Sequence, residues 1–242
     1  LIDSMVEKVK GNQVLLKNGD SYSAKIIVDA GGHNGPLRRD YWNEKSVKIP
    51  VKFVLMDGDF GEAVELHFGS MAPGGYAWMF PKSKGANIGL GIQRSFAKGR
   101  NLNQYTDDFV SKYDGEISFT GAGSLPMSGT LKKFVKGNYM LVGDSAGMVL
   151  PSNGAGITIA MIGGRIAGQV ISEHLSSGIP LEEYEKRWKK QMGKVMRNSK
   201  RSFKMGSMLF RLPDWILNLL FNRLTKNIIW RAVTCRRMLW VL

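Results

Sequence analysis

YMLVGDSAGMVLPSNGAGITIAMIGGRIAG, running from Tyr139 to Gly168, is the stretch whose reading decides the fold. Its apolar start, Tyr139–Val142, predicts a short buried strand that stops at Gly143-Asp144. A loop carrying Pro151, Gly154 and Gly156 then opens an apolar helix, predicted from about Ile157 to about Leu175. A carboxylate at a strand end can accept hydrogen bonds from sugar-like hydroxyls. Unpaired amides at a helix start face anionic or electron-rich groups. Glycine lets the backbone approach a flat ring that a Cβ would hold off. The arrangement suits a nucleotide.

Gly143-Asp144, Ala146-Gly147 and the P-x-x-G-x-G-I spacing of Pro151 to Ile157 resemble the second flavin fingerprint of the glutathione-reductase-type FAD enzymes. That group contains aromatic hydroxylases, flavin halogenases and geranylgeranyl reductases. The resemblance implies FAD as cofactor, with Asp144 on the ribityl chain and the amides around Gly154, Ala155, Gly156 and Ile157 beside the flavin ring. Together with Gly143 and Pro151 these are the expected cofactor-binding residues.

Length and charge set the frame. A chain of 242 residues can bury a good core as one large domain or two smaller ones. It begins at Leu1, apparently within a sheet, and holds no G-x-G-x-x-G after a first strand, which a flavin enzyme of this type uses for the pyrophosphate. The expectation is therefore the C-terminal part of a longer polypeptide, lacking its N-terminal βαβ unit. Residues 1–185 hold 19 Lys+Arg and 19 Asp+Glu, whereas residues 186–242 hold 15 basic residues and the single acid Asp214. The whole net charge of +14 thus belongs to the tail. One cysteine, Cys235, excludes an intrachain disulfide and a cysteine-based metal site, and no metal site is expected. No apolar run reaches the roughly 18–20 residues of a spanning helix, and no signal peptide is visible.

Residues 1–30 predict a three-stranded meander: Ile2–Lys10, Gln13–Lys17 and Ser21–Asp29, turning at Gly11-Asn12 and Asn18-Gly19-Asp20. The following D-A-G-G-H-N-G-P-L-R-R, from Asp29 to Arg39, resembles the D-A-S/T-G form of the reductases and halogenases, with Gly31 at the Ser/Thr place. That resemblance puts Asp29, Gly32 and Arg38 where a sheet edge meets the cofactor. His33 reads as a loop residue, not a catalyst.

Short strands follow at Val47–Met56, Ala63–Phe68, Gly75–Pro81 and Asn87–Gln93, separated by Asp57-Gly58, Pro73-Gly74 and Lys84-Gly85. They predict an antiparallel sheet inserted between the halves of a flavin domain. The run G-G-Y-A-W-M-F-P-K, followed by A-N-I-G-L-G-I, resembles the geranylgeranyl reductases more closely than the hydroxylases. Alternation places Tyr76, Trp78 and Phe80 on one face, as a wall for a long apolar substrate or as ordinary core. His67 reads as a satisfied strand histidine. Asn101–Tyr113 predicts an amphipathic helix with Leu102, Tyr105, Phe109 and Tyr113 on one face. Leu125-Pro126-Met127 returns to the flavin domain, Pro126 resembling a family proline.

The tail predicts helices at Leu181–Lys200, Phe203–Leu212, Trp215–Leu224 and Lys226 to Leu242, with a break at Pro213. Basic helices rich in Trp and apolar faces can lie in a membrane interface. Packing with solvated charges is the second reading, and nucleic acid fits least, because the aromatics fall on helical faces.

The expected fold is α/β (α+β): a hydroxylase-like two-domain FAD fold with an antiparallel substrate-domain sheet and C-terminal helices. Its expected parts are 1–46 and 126–180 in the FAD domain, 47–125 as substrate domain and 181–242 as basic helical region. The resemblance implies a reductase saturating C=C bonds of geranylgeranyl chains on archaeal-type glycerolipids, peripheral on the cytoplasmic face of the membrane. The donor would be NAD(P)H or ferredoxin. No residue is assigned a catalytic role; in relatives a cysteine of the N-terminal half is implicated, and Cys235 is not its counterpart. The alternatives are a flavin monooxygenase or halogenase of the same fold, and a lipid-binding module with a vestigial flavin site.

Overall fold

The computed structural model describes residues 1–44 and 46–223. The predicted helix from Lys226 onward, and Cys235, lie outside them. Two compact units form: residues 1–47 with 126–200, and residues 48–125 with 201 onward.

The first unit opens with the meander β1 (Val6–Lys10), β2 (Gln13–Leu16) and β3 (Ser21–Ser23), paired antiparallel in that order. The expected third strand, Ser21–Asp29, is in fact two. Ser21–Ser23 completes the meander, and the chain bends before β4 (Ile27–Asp29) enters another sheet. The split follows from side-chain character. β3 is exposed throughout, whereas Ile27 and Asp29 of β4 are buried and need a second sheet to cover them. After α1 (Pro36–Tyr41) the chain enters the second unit as β5 (Lys48–Asp57), β6 (Glu65–His67), β7 (Tyr76–Lys82), β8 (Gly85–Gly91), α2 (Leu102–Val110) and β9 (Glu116–Pro126). It re-enters the first unit through β10 (Val135–Lys136) and β11 (Tyr139–Leu141), which give a sheet ordered β10-β11-β4. β11 runs parallel to β4, Tyr139 opposite Ile27 and Leu141 opposite Asp29. So the two motifs at Asp29 and Gly143-Asp144 leave adjacent strands in the same direction.

α3 (Ile157–Ser177) follows the glycine loop and stops at Gly178, which is left-handed at φ +74°. Its inward face is Ile159, Gly163, Ile166, Ala167 and Val170. A Cβ on Gly163 would lie 2.6 Å from the Met148 sulfur, so α3 packs at a distance only glycine permits. α4 (Glu183–Leu209) is one helix of 27 residues, without the expected interruption after Lys200, and α5 (Asp214–Arg223) follows Pro213. The buried stripe Tyr184, Trp188, Met192 and Met196 continues through Ser199 and Ser202, both buried. Helical spacing persists there in small polar residues, and no Gly or Pro intervenes to stop the helix.

The second unit is a five-stranded antiparallel sheet, ordered β6-β7-β8-β5-β9, with α2 on one face. Val54, Met56, Ala77, Met79, Ile88 and Leu90 point to that face and pack with Tyr105 and Phe109. α2 begins with a complete capping box: Asn101 accepts from the Gln104 amide, and the Gln104 side chain accepts from the Asn101 amide. Among the described residues no helix is long and apolar enough to cross a membrane.

Candidate functional site

In the first unit the parallel pair β4–β11 brings two loops together. Asp29 is buried, and its carboxylate accepts from the amides of Gly31 at 2.8 Å and Arg38 at 3.0 Å. A Cβ on Gly35 would sit 2.1 Å from that carboxylate, so the D-A-G-G-H-N-G turn closes only around glycine. The buried Arg38 guanidinium donates to the Ser145 carbonyl at 3.2 Å and the Glu44 carbonyl at 3.0 Å. Ser145 in turn donates to the Asp29 carbonyl at 2.5 Å and accepts from the Val142 amide at 3.1 Å. Asp29, Arg38 and Ser145 are therefore spent on holding the loops in register. Burial lowers the Arg38 pKa, with Glu44 and Asp29 opposing.

Asp144 is different. It stands half-buried in the short turn Gly143–Ala146, and a Cβ on Gly156 would come within 3.5 Å of its Oδ1. Its carboxylate thus faces the start of α3, where Gly156 provides no side-chain cap and the first amides have no intrahelical acceptor. Burial raises the Asp144 pKa, and the charge of His33 opposes that rise. The loop between is tight: the Gly154 amide donates to Leu150 O at 2.8 Å, with Gly154 at φ +71°. Ala155 O accepts from the Leu150 amide at 2.9 Å, and Asn153 Oδ1 accepts from the Ala155 amide at 3.0 Å. Ser199 of α4, which the sequence reading passed over, accepts from the Ser152 amide at 2.9 Å and pins the loop from outside. Gly143, Asp144, Pro151, Gly154, Ala155, Gly156 and Ile157 are thereby gathered around one carboxylate and one open helix start.

The second unit carries its own constellation. On β7, Ala77 and Met79 are buried toward α2, while Tyr76 and Trp78 are half-buried and Phe80 is 37% exposed on the opposite face. Their rings form a row, with centroids 5.7 Å apart between Tyr76 and Trp78 and 6.0 Å between Trp78 and Phe80. Beside them β8 presents Gly91 opposite Tyr76, Gly89 opposite Trp78 and Asn87 opposite Phe80. Across β8 stand Val51, Phe53 and Leu55 of β5. A Cβ on Gly89 would meet Phe53 Cβ at 2.5 Å and Trp78 Cζ2 at 2.7 Å. The missing side chain lets Phe53 and the Trp78 ring close over the strand at Gly89. Asn87 fixes the indole by accepting from Trp78 Nε1 at 2.6 Å.

His67 lies on the α2 side, bonded to Glu65 at 2.9 Å and edge-on to Phe109. Tyr113 donates to the same Glu65 at 2.8 Å. Hydrogen bonds from His67, then Tyr113, hold the Glu65 pKa down, and burial with this contact raises that of Tyr113. The cluster is self-satisfied.

The fold is that of flavin-dependent enzymes: a flavin-dependent brominase superposes at a TM-score of 0.66, with 16% identity over 96% of this chain and 64% of that one. A geranylgeranyl bacteriochlorophyll reductase-like protein from Thermoplasma acidophilum superposes at 0.78, with 24% identity over 95% of this chain and 66% of that one. Residues 47–122, which contain the ring row, match the geranylgeranyl reductase catalytic domain. Digeranylgeranylglycerophospholipid reductase 2 of Methanothermobacter thermautotrophicus is 38% identical over 169 residues, 67% of this chain and 43% of that protein. By these matches the chain is similar to the geranylgeranyl reductases, and it spans about half the length of the curated relatives it matches.

Proposed function

We propose that this chain is part of an FAD-dependent reductase that saturates C=C bonds in the geranylgeranyl chains of archaeal-type membrane glycerolipids. The carrying observation is that the region matching the reductase catalytic domain presents a row of part-exposed aromatic rings on the sheet face away from its own core.

The residues of the first unit fit a flavin nucleotide: a half-buried carboxylate for hydroxyls, and an uncapped helix start for an electron-rich ring edge. Asp144 would accept from the ribityl chain, and the amides of Gly156 and Ile157 would donate to the ring, with Gly143, Pro151, Gly154 and Ala155 shaping the approach. When bound and reduced, the flavin supplies a hydride equivalent, and a proton completes the second carbon of the alkene. An isolated alkene is a poor hydride acceptor, so the chain's own contribution is enclosure and alignment. Tyr76, Trp78 and Phe80 would form an apolar wall for the geranylgeranyl chain, with Gly89 letting the Trp78 ring lie close against the sheet. The electrons come from an external donor, NAD(P)H or ferredoxin.

The enzyme works at the membrane surface, peripherally and on the cytoplasmic side. Basic residues on α4 stand near the exposed apolar side chains Met205, Met208, Trp215 and Leu219 in sequence, a composition suited to anionic lipid. The test is incubation of the full-length protein, with FAD and a chemical reductant, on a digeranylgeranyl phospholipid. The expected product gains two hydrogens per saturated bond by mass spectrometry. Halogenation or hydroxylation of a small aromatic, with oxygen uptake and no lipid reduction, would overturn the reading.

A further inference from the structure

The second unit contains a cavity that neither the ring row nor the nucleotide loop accounts for. It is open, about 1010 Å³, and lies between the turns after β6 and β8 and the α4–α5 connection. Its walls are of two kinds. Phe96, Phe210 and Trp215 are apolar, while Lys98, Arg100 and Arg211 are cationic. The acid of the cavity, Asp214, is engaged by the Ser70 amide at 3.0 Å and the Ser70 hydroxyl at 2.5 Å. A Cβ on Gly69 would stand 2.5 Å from the same carboxylate, so this latch fixes the cavity wall. Arg100 is partly spent, since it pairs with Asp108 and stacks 4.5 Å over the Tyr105 ring. Lys98 and Arg211 are exposed, and no side-chain acid is bonded to either among the described residues.

Lys98 is the second observation. Among the described residues it alone, apart from glycines, has a positive φ, +44°. It precedes Gly99 at φ +81°, and the Arg100 amide closes the turn on Ala97 O at 2.9 Å. Two successive left-handed residues define a type I′ turn, whose first position favours Asn, Asp or Gly. Lysine there is held against backbone preference, and such strain concentrates at ligand sites. We infer that this cavity binds the phosphate of an amphiphile, with Lys98, Arg100 and Arg211 on the anion and Phe96, Phe210 and Trp215 against adjoining hydrocarbon. The inference rests on the lipid reading above and names a polar subsite for it: a phosphorylated glycerolipid headgroup. Aromatic-lined rims with guanidinium and ammonium groups recognise that combination by charge and by apolar contact together.

The experiment compares full-length wild type with Lys98→Gly and Arg211→Gln. Lys98→Gly removes the cation while relieving the turn, so its melting temperature should be unchanged or higher. Binding is measured by calorimetry to three probes: glycerol 1-phosphate, a short-chain phosphatidylglycerol below its micelle concentration, and the matching neutral diacylglycerol. The short-chain phospholipid should bind saturably, at least tenfold more tightly than glycerol 1-phosphate, and the neutral lipid should not compete. Each variant should weaken phospholipid binding roughly 5- to 20-fold, as loss of one charge-assisted contact does. Glycerol 1-phosphate binding as tightly as the phospholipid would assign the site to a soluble phosphate and overturn the lipid assignment. Equal affinities of wild type and both folded variants would overturn the site. Because the readout is binding, a protein that reduces no lipid but binds the phospholipid as described refutes the proposed function and leaves the subsite standing.

Discussion

The two faces of the five-stranded sheet are made by alternate residues of the same strands, yet they obey different rules. Toward α2, Ala77, Met79, Ile88 and Leu90 are at most 2% exposed and interlock with Phe109. On the other side Tyr76, Trp78 and Phe80 stand half open. Glycine at position 89 makes room for the Trp78 ring, which lies against the strand beside Phe53 and leaves the row of rings half open on its outer side.

This contrast can be broken from either side. The largest expected effect is on the packed face: Phe109→Ala should lose about 3–5 kcal/mol in denaturant titration, the usual result of emptying a fully buried aromatic site. Trp78→Ala should lose clearly less, since its ring is half-buried. Equal losses would make the ring row ordinary core. Gly89→Ala comes next. Its Cβ would meet Phe53, Trp78 and the Lys52 carbonyl, so about 1–3 kcal/mol of overpacking is expected, with displaced rings visible as changed near-ultraviolet dichroism.

The smallest stability effect is expected at Asp144, where the sign is informative. Burial raises its folded pKa, so the folded state holds the proton more tightly than the unfolded chain does. In cofactor-free protein its contribution to stability is therefore greatest at low pH and falls as pH climbs above its ordinary value of 3.8. Asp144→Asn should flatten that slope and leave the protein no less stable at neutral pH. It should still weaken FAD binding about 10- to 100-fold, for a lost charge-assisted hydrogen bond of roughly 1.5–3 kcal/mol. Unchanged FAD affinity in flavin titration would exclude Asp144 from the site.

Where local chemistry alone sets structure, the sequence was readable. Strand, Gly143-Asp144, glycine loop and helix appeared as spaced, and alternation put the three aromatic residues on one face because the side-chain period of a strand is two. What escaped needed information from far along the chain. Ser21–Asp29 looked continuous, since nothing in it says that Ile27–Asp29 pairs with Tyr139–Leu141. Ser199 and Ser202 hid the continuity of α4, because a buried serine does not register in an apolar stripe. Asp214 read as the lone acid of a basic tail, and its latch to Ser70 spans 144 residues.

The most direct measurement is lipid reduction by the full-length Trp78→Ala protein, loaded with FAD, beside wild type. Loss of at least 90% of geranylgeranyl saturation, with flavin absorbance and melting temperature close to wild type, is the predicted result. Wild-type reduction by the folded, flavin-loaded variant would contradict the assignment of the ring face to the substrate.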